Sequence, residues 1–247
     1  MSEFPGLYAG LTQSFRADLV FWRRLARAAE GPILELGSGT GRVAAELARR
    51  GFTVSGIESD PEMISWAERH RPHLRTGSLS YLQGDISRFH LSLRFGLVIC
   101  PCNTLSLLPR DQAQRALRKS LQHLLPDGVF AAELAHPREV RTGDPDFASP
   151  LSAFTDPVTG WPVQLTAVQH YHASRRASEI DWRFDRLLPD GQVVRREVRQ
   201  TVQLWEAAEI ERALRAAGFA GCSLLGGYTG KSYDEHSPRM LVVAVAP

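Results

Sequence analysis

Gly37-Ser38-Gly39-Thr40-Gly41 follows the short apolar run Ile33-Leu34-Glu35-Leu36, and a helical pattern, Arg42-Val43-Ala44-Ala45-Glu46-Leu47-Ala48, begins at once. A strand, a glycine turn and a helix in that order let a ligand approach the backbone. N–H groups and a helix N-terminus at such a turn suit a polar or anionic group such as a carboxylate. The glycines read G-x-G-x-G behind the acidic Glu35, and Arg42 stands where G-x-G-x-x-G would need its third glycine. That spacing disfavours a nicotinamide-dependent oxidoreductase. Further on, Glu58 closes a second apolar run. A carboxylate there can accept bonds from both hydroxyls of a ribose and would repel a 2′-phosphate, although NAD enzymes use the same device. Met63 falls one turn into the next helix, facing either an adenine ring or the core. Gly84-Asp85-Ile86 closes a third run, where Asp85 can accept a hydrogen bond from an adenine amino group and Ile86 can supply an apolar wall. Cys100-Pro101-Cys102-Asn103-Thr104 closes a fourth; Asn103 has the amide to orient a substrate, whereas Cys102 as a nucleophile has no base beside it in the sequence.

In an open α/β sheet, ligands bind beyond the carboxyl ends of the strands, so these groups require alternating strands and helices. The chain supplies them. Helical spacing over 11–29 stops at Gly31-Pro32; strands are expected at 33–36, 52–57, 79–82, 95–100 and 129–134; Asp60-Pro61 caps a helix; and a helix over 111–125 ends in the turn Pro126-Asp127-Gly128. Apolar strands alternating with helices predict a parallel sheet covered on both faces. The pattern breaks over 137–162, where five prolines with Gly143 and Gly160 predict a long irregular, lid-like connection. Three antiparallel strands are expected at 163–173, 178–188 and 193–204, the last two joined at Pro189-Asp190-Gly191. A helix over 205–217 closed by Gly218, then strands at 219–225 and 239–246, complete the reading. The expected organisation is a binding core with an N-terminal helical lid over 1–136, an inserted loop and strands over 137–204 serving as substrate cover or dimer platform, and 205–247 returning to the core sheet.

With 247 residues, 43% hydrophobic and 23% charged, the chain can bury a sizeable core. A net charge of +2 gives no reason to expect a nucleic-acid partner. Nearly all the basic residues are Arg; seven of them (Arg175, Arg176, Arg183, Arg186, Arg195, Arg196, Arg199) sit in the inserted strands. They form either a pocket for an acidic small molecule or a solvated or subunit-facing surface. Cys100, Cys102 and Cys222 lack the spacing of a zinc site or disulfide framework, so no metal and a reducing compartment are expected. No apolar run approaches the roughly 18 residues of a membrane span; a cytoplasmic protein, monomeric or homodimeric, is expected.

Gly37-Ser38-Gly39-Thr40-Gly41, Glu58-Ser59-Asp60-Pro61-Glu62-Met63, Gly84-Asp85, Leu125-Pro126-Asp127-Gly128 and Ala216-Ala217-Gly218-Phe219 resemble the successive motifs of the class I S-adenosylmethionine-dependent methyltransferases. The resemblance covers most of the chain. It implies a Rossmann-like, seven-stranded, mostly parallel sheet with helices on both faces and a reversed last strand. The antiparallel insertion after strand five is similar to that of small-molecule N- and O-methyltransferases, including glycine, sarcosine and amino-sugar N-methyltransferases. By resemblance the cofactor S-adenosylmethionine would be held by Glu35, Gly37, Ser38, Gly39, Thr40, Gly41, Glu58, Ser59, Met63, Asp85 and Ile86. Pro101 and Cys102 would lie under its methionine part and Tyr8 near its sulfonium, where an aromatic face or phenol oxygen tolerates the charge. Asn103, Tyr171 and His172 would face a small-molecule substrate. In-line methyl transfer needs alignment and water exclusion rather than a covalent intermediate. For an amine acceptor, His136, His170 and His172 are the candidate bases. The N-P-P-Y type tetrad of adenine and glutamine-amide methyltransferases is absent. A non-catalytic S-adenosylmethionine-binding protein, or a macromolecule methyltransferase, remains an alternative.

Overall fold

A computed structural model describes residues 3–142 and 149–247. Seven strands form one sheet in the order β10-β11-β5-β4-β1-β2-β3. They are β1 (Ile33–Leu36), β2 (Thr53–Glu58), β3 (Ser78–Gln83), β4 (Phe95–Cys100), β5 (Leu124–Leu134), β10 (Gly221–Leu225) and β11 (Met240–Val245). β1 to β5 pair in parallel, and β11 inserts antiparallel between β5 and β10. The central strands bury both faces. Along β4, Val98 and Cys100 pack into one apolar layer with Leu117, Phe130 and Ile210, while Leu97 and Ile99 pack into the other with Trp22, Val43 and Leu47. That double burial is why these strands read as unbroken apolar runs.

Helices α2 (Leu19–Ala28), α3 (Arg42–Arg49), α4 (Pro61–Arg69), α5 (Arg110–Gln122) and α7 (Ala207–Ala217) connect or flank these strands. Asp60 caps α4 by accepting from Glu62 N at 2.8 Å, and α7 ends on Gly218 at φ 105°. The N-terminal segment is two helices rather than one over 11–29: α1 (Phe4–Thr12) and α2 are separated at 13–18. Asp18 is fully buried there, accepting from Trp22 Nε1 at 3.0 Å and from Arg42 Nη1 and Nη2 at 2.9 and 2.6 Å, and this fixes the reversal of the chain. The turn at Pro126-Asp127-Gly128 lies inside β5, not before it: pairing with β4 jumps from Phe95–Leu124 to Leu97–Val129.

A second sheet, β6-β7-β8-β9, is antiparallel throughout: β6 (Ser149–Thr155), β7 (Pro162–His172), β8 (Ala177–Leu187) and β9 (Val193–Gln203). The irregular connection expected over 137–162 is instead a short helix, α6 (Pro137–Arg141), then the edge strand β6, whose register slips between Pro150 and Ser152. Prolines are tolerated on an edge strand, where no ladder bond needs their missing N–H. Gly143 and Pro145 of that stretch lie outside the described residues. β6 turns into β7 through Asp156, whose carboxylate accepts from Val158 N and Thr159 Oγ1, both at 2.9 Å. Leu7 of α1 packs with Val163, Leu165 and Phe184, so α1 is clamped beneath the second sheet.

Candidate functional site

The carboxyl ends of β1, β2 and β4, α1 and the inner face of the second sheet enclose one cavity of about 1090 Å³. At β1 the glycine loop makes its turn with Gly37, Gly39 and Gly41 at φ 68°, 54° and 84°. A Cβ at Gly37 would overlap the methyl of Thr104, and one at Gly39 would stand 3.5 Å from Tyr8 Cε1, filling the gap between loop and ring. The loop N–H groups are largely engaged already. Gly37 N and Ser38 N donate to Ile57 O at 2.8 and 3.0 Å, and Gly41 N donates to Ser38 O at 2.9 Å. They tie the loop to β2 instead of forming the anion cradle that glycine spacing suggested.

Glu58, at the end of β2, is the pivot of the site. Its Oε2 accepts from Gly39 N at 2.9 Å, and its Oε1 from Ser59 N at 2.8 Å and Asp60 N at 3.0 Å. Glu58, Ser59, Met63, Asp85 and Ile86 line one end of the cavity together, with Met63 and Ile86 buried as apolar walls. Asp85 holds its own turn by accepting from Ser87 N at 2.7 Å, leaving Oδ2 3.6 Å from Arg88 Nε.

Glu35 points the other way, behind the loop. Its carboxyl is 2% exposed, takes the Ala44 N–H in the first turn of α3, and has Oε2 without a protein partner. Burial raises its pKa to about 8, against the pull of Arg42. Ser38 Oγ is also buried without a partner. Glu35, Ser38, Thr40 and Pro101, with Tyr8 and Cys102, line a separate void of about 20 Å³, room for a single water. Tyr8 sits between the void and the main cavity, its phenol kept neutral by burial.

Cys102 and Asn103 end β4 in consecutive left-handed conformations, φ 55° and 59°, and both line the cavity. Such backbone concentrates at functional sites. Burial pushes the Cys102 thiol up to about 11, and its Sγ rests 3.2 Å from Arg42 Nη2. It is a thiol at neutral pH, which removes it as a nucleophile.

Two residues expected at the substrate are elsewhere. Odd-numbered residues of β7 (Val163, Leu165, Ala167) face inward, so His172 falls on the outer face, its Nε2 3.5 Å from Glu179 and its ring 4.3 Å from that of His170. Tyr171 faces inward and packs against the cluster of Ala135, Val140, Val202 and Leu204, of which the first three line the cavity, but Tyr171 itself is not on the lining. His136 is buried, its Nδ1 accepting from Arg138 N at 3.1 Å to cap α6, and it does not line the cavity. Burial lowers its pKa.

None of the seven inserted-strand arginines is on the cavity lining. Arg199 pairs with Asp181 at 2.6 Å, Arg195 with Asp185 at 2.7 Å and Arg183 with Glu197 at 3.1 Å across the outer face. Arg186 turns inward but is held by Asp156 at 2.9 Å and Glu3 at 3.2 Å. Residues missed in the sequence line the cavity instead: Trp182 and Phe184 of β8, Gln169 of β7, Gln200 of β9, and the pair Glu133–Arg239. Glu133 Oε1 accepts from Tyr228 Oη at 2.7 Å and Arg239 Nη1 at 2.9 Å. The apolar alternation Ile180, Trp182, Phe184 was a readable signal; the meeting of β5 with the segment before β11 was not. No cluster of potential metal ligands occurs among the described residues, and no helix there is long and apolar enough to cross a membrane.

A doubly wound sheet with a reversed strand, a glycine loop and an acid ending β2 agree with the comparisons with known proteins, which support an S-adenosylmethionine-dependent methyltransferase. Residues 33–128 match the family model described as a methyltransferase domain. Over 216 residues, 87% of this chain and 80% of the relative, the chain is 26% identical to the dTDP-3-amino-3,6-dideoxy-alpha-D-glucopyranose N,N-dimethyltransferase of Streptomyces fradiae. A solved S-adenosylmethionine-dependent methyltransferase from Clostridium acetobutylicum superposes with a TM-score of 0.79 at 15% identity, covering 98% of this chain and 97% of that one. An amino pentose methyltransferase from Micromonospora echinaspora, involved in calicheamicin biosynthesis, gives a TM-score of 0.74 at 23% identity, with 100% and 98% covered.

Proposed function

We propose that this enzyme methylates an amine nitrogen of a small molecule by direct in-line displacement. One observation carries the reading: a single cavity runs from Glu58 and Asp85 past the loop and Tyr8 to a chamber roofed by the second sheet. Its volume of about 1090 Å³ exceeds the range of about 300–1,000 Å³ usual for one drug-sized ligand, so donor and acceptor can lie end to end. The N-methyltransferase relatives support nitrogen as the acceptor atom.

The residues present fit the cofactor: a side-chain-free approach at Gly39, a carboxylate for the ribose at Glu58, apolar walls at Met63 and Ile86, and a neutral Tyr8 ring beside the loop. When bound, S-adenosylmethionine supplies a methyl group activated by its sulfonium, with a neutral thioether as the leaving group. Glu58 holds the loop and aligns the adenosyl end. Tyr8 closes the site from α1 and keeps water from the sulfonium position. Asn103, held in its strained turn, presents its amide to the acceptor. The second sheet and α1 form the cover that excludes water, the role we assign to residues 137–204. No histidine among the described residues lines the cavity, so the amine enters uncharged and sheds its proton to solvent after transfer.

Calorimetry with S-adenosylhomocysteine and with NAD tests this. The wild type should bind S-adenosylhomocysteine and not NAD. Glu58→Ala should weaken binding about 10- to 100-fold, the loss of charge-assisted hydrogen bonds of about 1.5–3 kcal/mol. Binding of NAD, or an unchanged Kd in the variant, would refute the cofactor site. Failure of any amine to yield S-adenosylhomocysteine would favour a non-catalytic binding protein.

A further inference from the structure

The chamber's lining says which amines it accepts. Its roof is Ile180, Trp182 and Phe184 of β8 with Val198 and Val202 of β9, and Phe4 of α1 meets Phe184 edge-on at 6.1 Å. Phe184 is 3% exposed and Val202 7%, so this is packed apolar wall, not incidental surface. The polar groups on it are amides: Gln200, and Gln169, whose Nε2 is already donating to Glu139 O at 2.7 Å and Val140 O at 3.1 Å.

The charge balance is one-sided. Of the five carboxylates lining the cavity, Glu58, Asp60 and Asp85 stand at the donor end, and the acceptor half holds Glu133 and Glu139 against one guanidinium among the described residues, Arg239. Arg239 is committed: its Nη1 donates to Glu133 at 2.9 Å, and its guanidinium stacks 5.3 Å from Phe15 and 5.0 Å from Tyr228. Of the inserted-strand arginines, which could otherwise grip phosphates in bidentate fashion, Arg183, Arg195 and Arg199 are paired on the outer face and Arg186 is locked to Asp156 and Glu3, while Arg196, opposite Phe184 on β9, is exposed and outside the cavity lining. A diphosphate entering here would exchange water for carboxylates, with no free cation on the lining to answer it. Glu139, exposed at the chamber, disfavours an approaching anion.

Resting on the methyl-transfer reading, we propose that the acceptor is an amine carried on an uncharged, largely apolar body, such as an amino glycoside of an apolar aglycone, and that nucleoside-diphosphate sugars are excluded. This sets the chain apart from the Streptomyces fradiae relative, whose name gives a dTDP-sugar as its substrate.

Two probes sharing one amino sugar test it: dTDP-3-amino-3,6-dideoxy-α-D-glucopyranose and the octyl glycoside of the same sugar. Each is titrated calorimetrically into the S-adenosylhomocysteine complex. The octyl glycoside should bind at least about tenfold more tightly, from burial of its chain against the roof. Trp182→Ala should weaken that binding about tenfold while leaving the Kd for S-adenosylhomocysteine unchanged. Glu139→Lys, an exposed change, should narrow the preference between the probes. Equal or tighter binding of the sugar nucleotide, no binding of the glycoside, or indifference to Trp182→Ala would overturn the proposal. Glycoside binding without a methylated product under S-adenosylmethionine would support the chamber assignment and overturn the methyl-transfer reading, so the two failures are separable.

Discussion

Glu35 and Glu58 flank the same loop and do opposite things, because one is buried behind it and the other opens into the cavity. The Glu35 carboxyl titrates near 4.5 in an unfolded chain and near about 8 in the folded one. Between those values the folded protein holds a proton that the unfolded chain has lost. Stability contributed at this position therefore falls as pH rises through that window and levels off above it. Glu35→Gln should flatten the decline, read as the urea midpoint at about pH 5 against about pH 8; an unchanged slope in the variant would show that Glu35 is already ionised. The need for an acid at 35 and 58 was legible, since each sits at a fixed offset from the glycines. Their different roles were not, because burial, which separates them, depends on how Arg42, Asp18 and α3 close behind the loop.

The elements most exposed to test are the loop and the outer ladder of the second sheet. Gly37→Ala forces a Cβ into a left-handed turn and into the Thr104 methyl. It should cost about 1–2 kcal/mol or more in stability from the backbone alone and weaken S-adenosylhomocysteine binding. The double variant with Thr104→Ser, which removes the obstructing methyl, should recover part of both; no recovery would place the fault elsewhere. On the outer face, Arg199→Ala and Arg195→Ala should each change stability by less than about 1 kcal/mol, as exposed ion pairs do, and leave the acceptor KM unmoved. A raised KM would return these arginines to the substrate site. The central parallel strands β1 and β4 were readable because they are buried on both faces. β6 was hidden by Pro150 and the prolines around it, and His172 falls on the outer face, as the odd-numbered apolar residues of β7 already marked which side is inward.

At the scale of the whole molecule, the parallel sheet supplies the donor half of the cavity and the inserted sheet with α1 supplies the acceptor half. Neither half was hard to anticipate from alternating patterns. Their meeting was, because contacts such as Leu7 with Phe184, or Glu133 with Arg239, join residues far apart in the chain. The division of labour predicts that the acceptor sets only the second half of the reaction, with the methyl group always coming from S-adenosylmethionine. The most direct measurement is mass spectrometry of a reaction containing S-adenosylmethionine with a deuterated methyl group, the enzyme and an apolar amino glycoside. The account predicts S-adenosylhomocysteine and a deuterated N-methyl product in equal amounts, both lost in Glu58→Ala at limiting cofactor. S-adenosylmethionine bound but left intact, with every amine recovered unlabelled, would contradict it.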